Sequence, residues 1–153
     1  MDAIIRKYMS GDCDAMAIAL SVHLELPVVA LHPVHVGRDG QRRVDPDLLH
    51  ACVRLDSGLY MDVRGAREFE DIVAELRDIM ELVRRPEDSM IEVETVIYDD
   101  AADFVAEAKV DASRAPRAFS DACEIMPELG DDWGLSLTMR ELESLAEDGS
   151  LSM

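Results

Sequence analysis

Between Gly11 and Leu24 the chain carries Ala15, Met16, Ala17, Ile18, Ala19, Leu20 and Val22, a helical stretch with no polar side. A helix that is apolar all round has to be buried. Gly11 frees the backbone to turn into it, and Asp12 is a good N-cap residue. Cys13 then falls at about the first helical position, where unpaired N–H groups and the macrodipole favour an anion, a thiolate included. Two readings of Cys13 follow. It is a small hydrophobe at the edge of a core, or it is a nucleophile. Asp12 and Asp14 flank it, and their charges oppose thiolate formation.

A chain of 153 residues, 48% hydrophobic, suits a single domain over 1–153 with one core. The longest apolar run is too short to span a membrane, and Met1-Asp2-Ala3-Ile4-Ile5-Arg6-Lys7-Tyr8 lacks a basic-then-apolar export pattern. Cys13, Cys52 and Cys123 make no disulfide framework, so a reducing cytoplasm is the expected compartment. Fifteen basic residues against thirty-three acidic ones give a net charge of −18. Such a surface repels nucleic acid and anionic membranes. Solubility, or adaptation to a salty cytoplasm, explains it most simply; a basic partner, or mimicry of a phosphate array, is the functional alternative.

Taken in order, 1–10 reads as a short helix or turn with Ile4, Ile5 and Tyr8 at helical spacing. Pro27 bars continuation of the buried helix. Residues 28–32 read as a strand broken at Pro33 and resumed at 34–36, with a turn at 37–40 and a loop over 41–47. A hairpin follows, 49–55 and 59–63 around Asp56-Ser57-Gly58, pairing Leu55 with Leu59, Arg54 with Tyr60 and Cys52 with Asp62. That register makes His50 and Asp62 diagonal neighbours on one face; a slip of one residue separates them.

The spacing of Phe69, Ile72, Val73, Leu76, Ile79, Met80 and Val83 predicts an amphipathic helix over 66–85, ended by Pro86. Ile91, Val93, Thr95 and Ile97 alternate with glutamates as a half-exposed strand, and Asp99 or Asp100 caps a helix carrying Phe104. Pro116 opens another helix, through Phe119, Cys123 and Met126. Residues 129–134, with Trp133, read as a loop. Thr138-x-x-Glu141 is a capping box opening a last helix, whose end frays. A composition shift near residue 86 separates a front half with every histidine from a more acidic back half.

Thiol catalysis needs a thiolate, a base to shuttle its proton and a group to orient that base. The chain offers these in the order Cys13, His50, Asp62, and the backbone N–H of Cys13 is a candidate oxyanion donor. Gly-Asp-Cys opening a helix, followed by His50-x-x-Val-x-Leu-x-x-Gly-x-Tyr-x-Asp62, resembles the papain-like cysteine peptidase superfamily, in its NlpC-like and transglutaminase-like branches. The resemblance covers residues 8–65. It implies an α+β fold, with a Cys-bearing N-terminal helix packed on an antiparallel sheet; the acidic back half, 66–153, lies outside the resemblance and is expected to add a strand and several helices. It also implies a thiol-dependent hydrolase or acyltransferase, with nucleophile Cys13, base His50 and orienter Asp62, acting on an amide, isopeptide or thioester bond of a peptide-like or acyl substrate. Tyr8 resembles a tyrosine that shapes the site in the NlpC branch, and Tyr8 and Asp12 are the implied substrate-binding residues.

No Gly-rich phosphate loop and no basic patch with aromatic interleaving is present, and neither a cofactor nor a metal is expected. His32-x-x-His35 lacks the partners of a zinc site and reads as two ordinary polar histidines. Cys52 and Cys123 read as packing, as do Met16 and Met80. The alternative function is a non-catalytic acidic decoy or nucleic-acid mimic, presenting Glu141, Glu143, Glu147 and Asp148 to a basic partner.

Overall fold

The computed structural model describes residues 2–10, 12–126 and 134–151. The order of elements is α1 (Asp2–Ser10), α2 (Cys13–Leu24), β1 (Val28–Gly37), β2 (Arg42–Val44), β3 (His50–Arg54), β4 (Tyr60–Asp62), β5 (Gly65–Arg67), α3 (Phe69–Val83), β6 (Asp88–Tyr98), α4 (Ala101–Ala108), α5 (Ala115–Ile125) and α6 (Gly134–Leu151). The fold is α+β, an antiparallel sheet with helices on both faces. Among the described residues no helix is long and apolar enough to cross a membrane.

β1 is the spine of the sheet. One of its edges is shared by β3, with Leu31 opposite His50, and by β2, with Val34 opposite Val44. Its other edge pairs along its whole length with β6. Pro33 does not break β1 into two pieces. Its carbonyl accepts from the Asp45 N–H at 2.9 Å, on the side where β1 passes from β3 to β2. N and C=O of one strand residue point to the same side, so the missing N–H falls at that change of partner, where a ladder bond is least needed. β2 occupies part of the stretch that reads as loop; three exposed residues form it by pairing with the end of β1. Its turn is closed by the Gly40 N–H donating to the Gly37 carbonyl, with Gly40 at φ 84°.

α2 is the buried centre of one layer. Every residue from Ala15 to Ser21 is buried, enclosed by the sheet and by α1, α4, α5 and α6. Burying Met16, Ile18 and Leu20 contributes about 1.5–3 kcal/mol each. The other face of the sheet carries Val29, Leu31 and Cys52, covered by Ile72, Leu76 and Met80 of α3. The back half therefore completes the sheet with β6 and builds most of the shell around α2.

Four further expectations are corrected. α3 begins at Phe69 rather than near residue 66, because Gly65–Arg67 form β5 against β4. Asp12 makes no side-chain cap to α2; its carboxylate is engaged by Arg114 and, at 3.8 Å, by Lys7. Thr138 does not open α6 but lies inside it, buried and hydrogen-bonded to His23 Nδ1 at 2.8 Å. The strand around Ile91–Ile97 is longer than its alternation marks, because pairing with β1 carries it from Asp88 to Tyr98. Asp100 does cap α4, accepting from the Asp103 N–H at 2.8 Å. Gly134, expected in a loop over 129–134, begins α6. Gly11, residues 127–133 with the rest of that expected loop and Trp133, the terminal residues and the Asp148 side chain lie outside those described.

Candidate active site

Three elements converge on one buried cluster. α2 contributes Cys13 from its first residue, β3 contributes His50 from its first residue, and β4 contributes Asp62 from its last. The β3–β4 hairpin has the register read from the sequence, Arg54 opposite Tyr60 and Val53 opposite Met61. His50 Nε2 lies 2.9 Å from Asp62 Oδ2. His50 is 0%, Asp62 2% and Cys13 8% exposed, so all three are buried and Cys13 is the least enclosed residue of the three.

Asp62 is held as an acceptor on both oxygens. Oδ1 takes the Arg64 backbone N–H at 2.8 Å; Oδ2 takes His50 and the Arg67 guanidinium, the latter at 2.7 Å. Burial pushes the Asp62 carboxyl up, but His50, the Arg64 amide and Arg67 outweigh it and hold it below the usual range. An ionised carboxylate only accepts, so Nε2 carries hydrogen. Burial likewise pulls His50 down, while Asp62 and then the Cys13 thiol overcome it, and the imidazole is raised to about 9.

Asp62 thus takes one ring nitrogen, Nε2, and Nδ1 is the one left over. Nδ1 is buried with no hydrogen bond of normal geometry, although Cys13 acts on the ring closely enough to raise it. An unmet buried polar atom costs about 1–3 kcal/mol. Catalytic contacts are often this loose before substrate binds and tighten in the complex.

Arg67 and Glu75 are the members that sequence reasoning missed. Arg67 on β5 bridges Asp62 to Glu75 of α3, which also holds Arg64 Nε at 2.6 Å. Reading 66–85 as one helix hid β5; the signal available was Gly65, at φ 100°, which lets the chain reverse after β4. Arg114 is the second omission. It neutralises Asp12 and lies 3.8 Å from Asp14, the two acids beside Cys13. Burial pushes the Asp14 carboxyl up from its ordinary value.

Tyr8 is 2% exposed, and its hydroxyl donates to Asp121 of α5. The structure thus places Tyr8 in the core between α1 and α5, and Asp12 at the mouth of α2 in the Arg114 pair. Cys52 is fully buried and its thiol is pushed up to about 12, by burial first and then by Asp62 and Cys13. Cys123 packs against the α2 core, and none of the three cysteines is in a disulfide.

His32 and His35 go to different partners. His32 Nδ1 meets the Asp47 carbonyl at 3.2 Å, while buried His35 lies between Asp88 at 2.6 Å and Asp45 at 3.2 Å. Among the described residues no group of three or more His, Cys, Asp or Glu is arranged to hold a metal ion.

No protein-family model matches the chain, and comparison with curated proteins and with solved structures finds no match.

Proposed function

We propose that the chain is a thiol-dependent hydrolase or acyltransferase of papain-like type, working in a reducing compartment on an amide, isopeptide or thioester bond. The observation that carries this reading is the His50–Asp62 pair, with Nε2 held by the carboxylate at 2.9 Å and Nδ1 buried without a hydrogen bond, on a ring whose charge is favoured by Asp62 and then by Cys13. The large majority of buried side-chain polar atoms have a partner, and a catalytic role is one reason for an exception.

In the reaction, His50 Nδ1 takes the Cys13 S–H proton, and the sulfur attacks the carbonyl carbon so that a C–S bond forms. The oxyanion is met by backbone N–H groups at the start of α2. His50 Nδ1 delivers its proton to the leaving nitrogen or sulfur, and the scissile bond breaks. Water, or an acceptor amine, then gives its proton to Nδ1 and attacks the thioester, releasing Cys13. Asp62 keeps Nε2–H in place throughout, and Arg67 with Glu75 keeps Asp62 in place.

Alkylation tests the reading. Cys13 reacts with iodoacetamide faster than Cys52 or Cys123, and His50→Ala removes that advantage while the circular dichroism spectrum is retained. Equal, slow labelling of all three thiols, or a fast Cys13 indifferent to His50→Ala, overturns it.

A further inference from the structure

The outer edge of β6 offers a second site that is independent of the thiol. β6 is eleven residues long, and among the described residues it pairs only with β1. In an antiparallel strand about half of the backbone N–H and C=O groups point away from the partner, so among the described residues one whole edge of β6 has no ladder. Asp88–Tyr98 contains no proline and no lysine, the usual guards of such an edge.

The two faces beside that edge differ. On one, Ile91 and Val93 pack toward α3 but are only half-buried, and a groove of about 550 Å³ runs between α3 and β6, its apolar part lined by Phe69, Val73, Met80, Ile91 and Val93. Thr95 and then Ile97 continue that face, both exposed, Ile97 at 51%. The alternate residues Glu92 and Glu94 belong to the opposite face; Glu94 is exposed, and Glu92 is ion-paired with Arg42.

We infer that this edge binds an extended peptide whose residues alternate apolar and basic, as an added strand of the sheet. Its backbone completes the β6 ladder, its apolar side chains enter the α3–β6 groove, and its lysines or arginines meet the glutamate face. Charge selects this occupant over a second copy. Self-pairing lays Glu92 and Glu94 against their own kind, and each chain carries a net charge of −18.

The probe is an eleven-residue peptide alternating valine and lysine, with a control of the same composition in two blocks, titrated by fluorescence anisotropy and by amide hydrogen exchange. The expected result is binding of the alternating peptide at least about tenfold tighter than the block peptide, a difference of about 1.4 kcal/mol. New protection should fall on alternate amides of β6, and Glu94→Lys should cost about tenfold or more in affinity. Cys13→Ala should bind unchanged, which separates this inference from the thiol reading. Equal binding of the two peptides, protection on α6 instead of β6, indifference to Glu94→Lys, or no binding at about 1 mM peptide overturns it.

Discussion

His50 and Asp62 stabilise one another through their charges, and this makes stability depend on pH. His50 is raised from 6.5 to about 9, so its contribution is complete below 6.5 and disappears as pH rises through about 9. Asp62 is lowered, so its contribution is present above 3.8 and disappears as pH falls through its folded value, below 3.8. Between those limits the pair is at full strength. Urea denaturation from pH 6.5 to 9.5 should show an alkaline loss on the order of 3 kcal/mol, and Asp62→Asn should flatten it. Arg67→Met withdraws one of the groups holding Asp62 down, so the acid limb should move to higher pH in that variant. An alkaline limb unchanged by Asp62→Asn would show that His50 draws its charge stabilisation from elsewhere.

At the scale of elements, α2 and α4 start by different physics. α2 lacks a side-chain cap, and its stability comes from being enclosed on all sides. α4 is only eight residues, too short to persist alone, and it relies on Asp100 for its start and on buried Phe104 for its docking. Asp100→Ala should therefore destabilise the protein by about 1 kcal/mol, and Asp12→Ala should cost nothing through capping. Since Asp12 is paired with Arg114 beside Cys13, its replacement should show instead in the rate of Cys13 alkylation. Thermal melts of the two variants, with alkylation rates alongside, check both statements.

For the whole molecule the dominant long-range term is charge. Many of the fifteen basic residues are spent in internal pairs: Arg42 with Glu92, Arg64 and Arg67 with Glu75, Arg114 with Asp12, Arg117 with Asp121. The surface that remains is acidic, with Glu141, Glu143 and Glu147 exposed on α6. Self-repulsion among exposed charges is screened over about 10 Å at 0.1 M salt, whereas buried pairs are screened far less. Raising sodium chloride from about 0.05 to 0.5 M should therefore raise the melting temperature. A fall would mean that the exposed ion pairs outweigh the repulsion.

Much of this architecture is legible in local pattern. The wholly apolar α2, the 3.6-residue spacing of α3, the hairpin around Gly58 and the alternation in β6 are set by neighbours a few residues apart, and each is present. From the hairpin register the His50–Asp62 contact follows directly, because side chains alternate with a period of two. The contributions that local pattern does not carry come from distant chain. β2 and β5 are three residues each, without a hydrophobic signature, and exist because β1 and β4 present unpaired backbone to them. Pro33 reads as a breaker until the change of partner along β1 removes the need for its N–H. Asp12 reads as a cap until Arg114, 102 residues later, claims its carboxylate. Arg67 is an ordinary charged residue until the β4–β5 turn swings it onto Asp62. Propensity and periodicity are sums over near neighbours, whereas pairing of backbone edges and buried charges is decided by whatever the closed fold brings within about 3 Å.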